Sequence, residues 1–186
     1  MGYLNLAEAC YRERDFAGGI RALSEGICDF PENLVLKHYL ARFYMEDSKL
    51  DLAIDELDKV LEAQPRNYDA YYDLGRVRFE LGEWALAAEN FENALEFNGP
   101  NEWVYFYLAE AYEADNNVDK AISNYLKAIA HSQGFKPAYK KVAILFLARG
   151  DNEDAAEYFE DYIKMGVPDE EVQQVSGLIE RIKNNM

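Results

Sequence analysis

The 186 residues carry 35 Asp or Glu against 19 Lys or Arg, a formal charge of −16, and 49% of them are hydrophobic. That acidity disfavours nucleic acid and anionic membrane surfaces as partners, because both are gripped through clustered Lys and Arg. An aromatic content of 14% excludes a disordered chain, and no apolar run reaches the roughly 20 residues needed to cross a bilayer.

One pattern recurs from the N-terminus, each copy 34 residues after the last. It pairs an apolar with a small residue, sets another small residue twelve further on, and a bulky one four after that. In residues 1–33 these are Leu6-Ala7, Gly19 and Leu23, and the apolar period predicts two helices. Gly18, Gly19 and Gly26 predict a weak second helix there, since Gly costs roughly 1 kcal/mol against Ala in a helix interior. Cys10 falls on an inward position and is expected to be buried and reduced. Cys28 lies near the end of the second helix, and nothing in the spacing pairs the two, which suits a reducing compartment.

Residues 34–67 show the unit most plainly. Leu36, Leu40, Phe43 and Tyr44 recur at helical spacing, Asp47-Ser48-Lys49 makes a polar turn, and Leu50, Ala53, Ile54, Leu57, Val60 and Leu61 resume the period. Residues 68–101 repeat it with Leu74-Gly75, Ala87 and Phe91, residues 102–135 with Leu108-Ala109, Ala121 and Tyr125, and residues 136–169 with Val142-Ala143, Ala155 and Phe159. Turns are predicted at Gly82, Asn116-Asn117 and Gly150-Asp151, and N-caps at Asn33, Asn67 and Asn101. Pro137 suits a first helical turn, where its missing N–H costs nothing. The repeat then stops. Residues 170–184 keep a stripe of Val172, Val175, Ile179 and Ile182, the pattern of a capping helix over the last repeat.

A fixed period of this length marks a solenoid whose units bury their apolar faces against their neighbours. The pattern resembles the tetratricopeptide repeat. An aromatic precedes the pair at Tyr3, Tyr71, Tyr105 and Tyr139, with Lys37 the exception, and another follows it at Tyr44, Tyr112 and Phe146. A small residue late in the second helix is present as Gly26, Ala94 and Ala128, and a closing proline as Pro31 and Pro65. The resemblance implies an all-α, right-handed superhelical solenoid of five helix-turn-helix repeats plus a capping helix, forming a single domain over 1–186. The start at Met1-Gly2, one position into a repeat, reads as a cut domain edge. With no signal sequence or spanning segment, a cytoplasmic location is expected.

Little here supports catalysis. His38 and His131 are the only histidines and fall on different repeats, no phosphate loop is present, and no metal-ligand spacing occurs, so a non-enzyme without cofactor or metal is expected. The resemblance points instead to binding. In tetratricopeptide arrays the first helices line a concave groove through positions 2, 5, 6, 9, 12 and 13 of each repeat. Carried across, the groove comprises His38, Tyr39, Arg42, Tyr72, Arg76, Phe79, Trp103, Phe106, Tyr107, Lys140 and Lys141. Asp73 and Glu110 face the same surface, which makes it mixed in charge. The family's terminal-carboxylate clamp is absent, because its Asn at position 9 occurs in no repeat.

The expected function is a scaffold for an extended or helical protein segment with apolar or aromatic anchors and an acidic residue meeting Arg42 or Arg76. The alternatives are self-assembly into a homo-oligomer through the solenoid ends or the convex face, or a docking module belonging to a larger enzyme.

Overall fold

The computed structural model describes residues 2–184. They form eleven helices among the described residues and no strand: α1 (Gly2–Glu13), α2 (Phe16–Asp29), α3 (Leu34–Glu46), α4 (Leu50–Ala63), α5 (Tyr68–Glu80), α6 (Trp84–Asn98), α7 (Glu102–Ala114), α8 (Val118–His131), α9 (Lys136–Arg149), α10 (Asn152–Lys164) and α11 (Asp169–Asn184). The first ten are the five expected pairs. Two compact units divide them: α1–α6, ending at Gly99, and α7–α11, beginning at Pro100.

The helix starts follow from capping chemistry. The Asn33 side chain accepts from the Val35 and Leu36 amides, Asn67 from Ala70, and Asn101 from Trp103 and Val104. Each satisfies amides that a helix otherwise leaves bare. Pro137 lies in the first turn of α9.

The turn inside every repeat passes through the left-handed region at the same position. There φ is 57° at Arg14, 55° at Ser48, 77° at Gly82, 59° at Asn116 and 91° at Gly150. Gly and Asn announce this conformation in three repeats; Arg14 and Ser48 adopt it because the packed helices on either side demand it.

Burial obeys the repeat. Ala53, Ala87, Ala121 and Ala155 are wholly buried, as are Leu23, Leu57, Phe91 and Tyr125, with Phe159 nearly so. In the first unit, Ala53, Leu57, Val60, Leu74 and Val77 share one core cluster, while Ala7, Leu23, Leu36, Leu40 and Phe43 form another. In the second unit, α11 packs on α10, and its Val175, Ile179 and Ile182 are buried as a cap requires.

Two expectations for the first repeat need correction. Gly19 and Gly26 are not merely weak points of α2. A Cβ on Gly19 would lie 2.0 Å from Phe43 Cε1, and one on Gly26 would lie 2.9 Å from the Tyr3 ring. Glycine is there because neighbouring aromatics occupy the space a methyl would need. Cys10, expected buried, is only half-buried at the edge of its cluster; it and the exposed Cys28 are free thiols.

Candidate partner-binding face

In the first unit the expected residues from repeats 2 and 3 come together. Helices α3 and α5 place His38, Tyr39 and Arg42 beside Tyr72, Asp73 and Arg76, and all six line one cavity of about 320 Å³ that Asp69 also borders. A second cavity, about 170 Å³, shares Tyr39, Arg42 and Arg76 and adds Phe43, Met45 and Glu46 from α3 with Glu8, Tyr11 and Arg12 from α1.

The electrostatic centre is Asp73, only 5% exposed. His38 Nε2 lies 2.9 Å from its Oδ2, while Arg42 Nε is 3.9 Å and Arg76 Nη1 3.8 Å from the carboxylate. A buried carboxylate is costly unless paired and hydrogen-bonded, and these three groups supply that compensation. The sequence marked Asp73 only as one of several acids on the surface; its role as the hub depends on burial. The expected groove does not include Glu8, Tyr11 and Arg12, although positions 9, 12 and 13 of the first repeat fall on them. Tyr11 donates to Glu46 Oε1 at 3.2 Å and meets the Phe43 ring edge-on at 5.8 Å.

Phe79 takes no part in this gathering. It meets Trp84 edge-on at 5.0 Å across the turn of its own repeat, a packing contact.

In the second unit the aromatic candidates divide by exposure. Trp103 is 46% exposed, whereas Phe106 is 8% exposed and acts as core, its ring within 5.8 Å of Tyr107, Tyr125 and Phe135. Trp103 stacks on Tyr107 at 6.2 Å and meets Phe135 edge-on at 4.8 Å. The lysines are engaged. Lys140 pairs with Glu171 of the capping helix and lies over the Tyr162 ring. Lys141 reaches Glu110 at 3.1 Å and Glu113 at 3.3 Å. Burial draws the Lys141 ammonium down, but these two carboxylates outweigh it and the net shift is up. Glu113 also accepts from the wholly buried Tyr125 hydroxyl at 2.7 Å, and burial together with that bond pushes the phenol up.

Among the described residues, no three His, Cys, Asp or Glu side chains gather as a metal site, and no helix is long and apolar enough to cross a membrane.

Comparison with known proteins follows the repeat pattern. Tetratricopeptide repeat models match residues 40–102 and 103–131. A TPR repeat-containing protein of Methanocaldococcus jannaschii is 24% identical over 138 residues, 68% of this chain and 24% of that protein. Human Superkiller complex protein 3 is 22% identical over 98 residues, 53% of this chain and 6% of that protein. The chain thus spans a quarter or less of the length of these curated relatives. Among solved structures, a crystal structure of MamA is similar with a TM-score of 0.81 and 27% identity, covering 86% of this chain and 94% of that one. YrrB, described as a TPR protein with an unusual peptide-binding site, superposes with a TM-score of 0.76 at 18% identity, over 94% of this chain and 90% of its own. The five-fold register, the ten paired helices and these matches agree: the chain is a tetratricopeptide repeat protein.

Proposed function

We infer that this protein is a non-catalytic scaffold that holds an extended or helical segment of a protein partner on the face made by the first helices of repeats 1–3. The observation that carries this reading is the convergence of α1, α3 and α5 on two adjoining cavities walled by tyrosines and arginines. Aromatic and Arg side chains concentrate binding energy at protein interfaces, and concave sites with a few polar groups are the usual places for recognition.

The test compares proteins captured from a cell lysate by the native chain and by variants of the first-helix face, Tyr72→Ala and the pair Arg42→Gln with Arg76→Gln. Neutral replacements are needed, since a carboxylate at either arginine would sit against buried Asp73. Lys59→Gln, on α4, is the second-helix control. A partner lost only with the first-helix variants supports the reading. A partner kept by those variants and lost with the control moves the site to the second helices.

One observation favours self-association as a second reading. Leu6 is 53% exposed, although the equivalent Leu40, Leu74, Leu108 and Val142 are at most 6% exposed. Another copy could cover it. Concentration-dependent light scattering that Leu6→Asp abolishes would favour this alternative; a constant small mass would remove it.

A further inference from the structure

The two cavities of repeats 1–3 differ in chemistry along their shared wall of Tyr39, Arg42 and Arg76. The smaller is bordered by Tyr11, Phe43 and Met45, a lining suited to an apolar side chain. The larger holds the charge. There the Arg42 and Arg76 distances to Asp73, 3.9 and 3.8 Å, exceed hydrogen-bond range, so the carboxylate steadies both guanidiniums without taking up their N–H donors. Its own hydrogen bond is with His38, at 2.9 Å.

Two guanidiniums against one buried carboxylate leave a single positive charge in surplus. Planar guanidinium donors match a carboxylate in a bidentate manner. Glu46 and Asp69 also border the cavities, both exposed, and Glu8 is answered by Arg12 at 3.7 Å. Water screens these outer groups, yet each adds to the repulsion of a second negative charge.

We propose that Arg42 and Arg76 together clamp one carboxylate of a peptide whose neighbouring apolar side chain enters the Tyr11–Phe43–Met45 cavity, and that Asp73 is the specificity-determining residue that selects a monoanion over a dianion. The proposal rests on the first-helix-face reading and names the chemistry of its partner. Removing a negative charge beside the site favours a dianion twice as much as a monoanion, because the electrostatic energy is linear in ligand charge. The affinity ratio between the two therefore reports on Asp73 whatever happens to folding.

The experiment is a nitrogen-15 NMR titration of the full chain that follows the Arg42 and Arg76 Nε–H signals, assigned through the two Gln variants. The probes are acetyl-Phe-Glu-amide, its neutral analogue acetyl-Phe-Gln-amide, the terminal carboxylate acetyl-Ala-Phe, and the dianion acetyl-Phe-phosphoserine-amide. Saturable shifts are expected with a carboxylate probe and not with the Gln analogue; the tighter of the side-chain and terminal forms identifies the source. Arg42→Gln or Arg76→Gln should each weaken that probe about threefold or more, and Asp73→Asn should raise the phosphoserine-to-glutamate affinity ratio by about threefold. Equal binding of the Gln analogue, or an unchanged ratio in Asp73→Asn, overturns the proposal. If no carboxylate probe saturates at millimolar concentration while Tyr72→Ala still abolishes partner capture, the clamp is refuted and the first-helix-face reading stands. If capture also ignores every first-helix variant, both fall.

Discussion

Gly19→Ala places one methyl group where the structure has no room for it. The added Cβ would lie 2.0 Å from Phe43 Cε1 and 2.6 Å from Cδ1, well inside contact distance. The ring cannot readily retreat. It is 3% exposed, and Tyr11 at 5.8 Å and Phe16 at 6.4 Å meet it edge-on. Overpacking of a filled core costs roughly 1–3 kcal/mol, and a clash this close belongs at the upper end. Ala in place of Gly within a helix returns about 1 kcal/mol. The net expectation is a loss of about 1–2 kcal/mol. Urea denaturation followed by circular dichroism measures it, and Phe43→Leu supplies the cycle: in that background Gly19→Ala should be nearly neutral or favourable, a coupling of about 1 kcal/mol or more. Phe43 also lines the smaller cavity, so the displaced ring should weaken apolar ligands there. A stabilised single variant with no coupling to Phe43 would refute the reasoning.

Other perturbations separate strain, burial and charge. Arg14→Gly and Ser48→Gly should each stabilise the first unit by about 1 kcal/mol, because both residues hold left-handed backbone that an L side chain resists; unchanged urea midpoints would count against strain there. Phe106→Ala should cost about 3–5 kcal/mol and the more exposed Trp103→Ala distinctly less, as their burial differs; equal losses by the same assay would place Trp103 in the core. The pairing of α11 should loosen in acid. A hydrogen bond from Lys140, assisted by Tyr162, holds the Glu171 carboxyl below the ordinary glutamate value, and a bond from Lys183 does the same for Glu160. A lowered folded value means the contribution is complete above the ordinary glutamate value and fades as pH falls through the lowered ones. Denaturation midpoints of the native chain and Lys140→Met should therefore converge on acidification; a constant gap would contradict the assignment.

The repeat made the fold legible. Periodicity, the three Asn caps and the paired small and bulky positions give every helix, because one local pattern answers one local packing problem five times over. Partial failures occur where a residue's meaning depends on a side chain brought up by another helix or turn. Gly19 reads as a weak helix former until Phe43 is seen against it. Phe106 reads as a surface anchor until Tyr125 and Phe135 enclose it. Lys140 and Lys141 read as available cations until Glu171, Glu110 and Glu113 claim them. Asp73 is one acid among 35 by composition, and only its burial between His38, Arg42 and Arg76 makes it the hub of a site. Contacts between residues about one repeat apart are invisible to a pattern that treats repeats as equal.

The left-handed turns carry a kinetic consequence. Repeats that pack on their neighbours open and close locally, with free energies set by each repeat and the contacts beside it. In repeats 3 and 5 that turn falls on Gly, and in repeat 4 on Asn, but repeats 1 and 2 close theirs through Arg14 and Ser48. Amide exchange should accordingly run fastest in α1–α4, the segment that supplies most of the wall of the smaller cavity. A ligand seated there would slow that exchange by tying α1 to α3 and α5, so occupancy of the face could be read as protection of backbone amides far from any ligand contact.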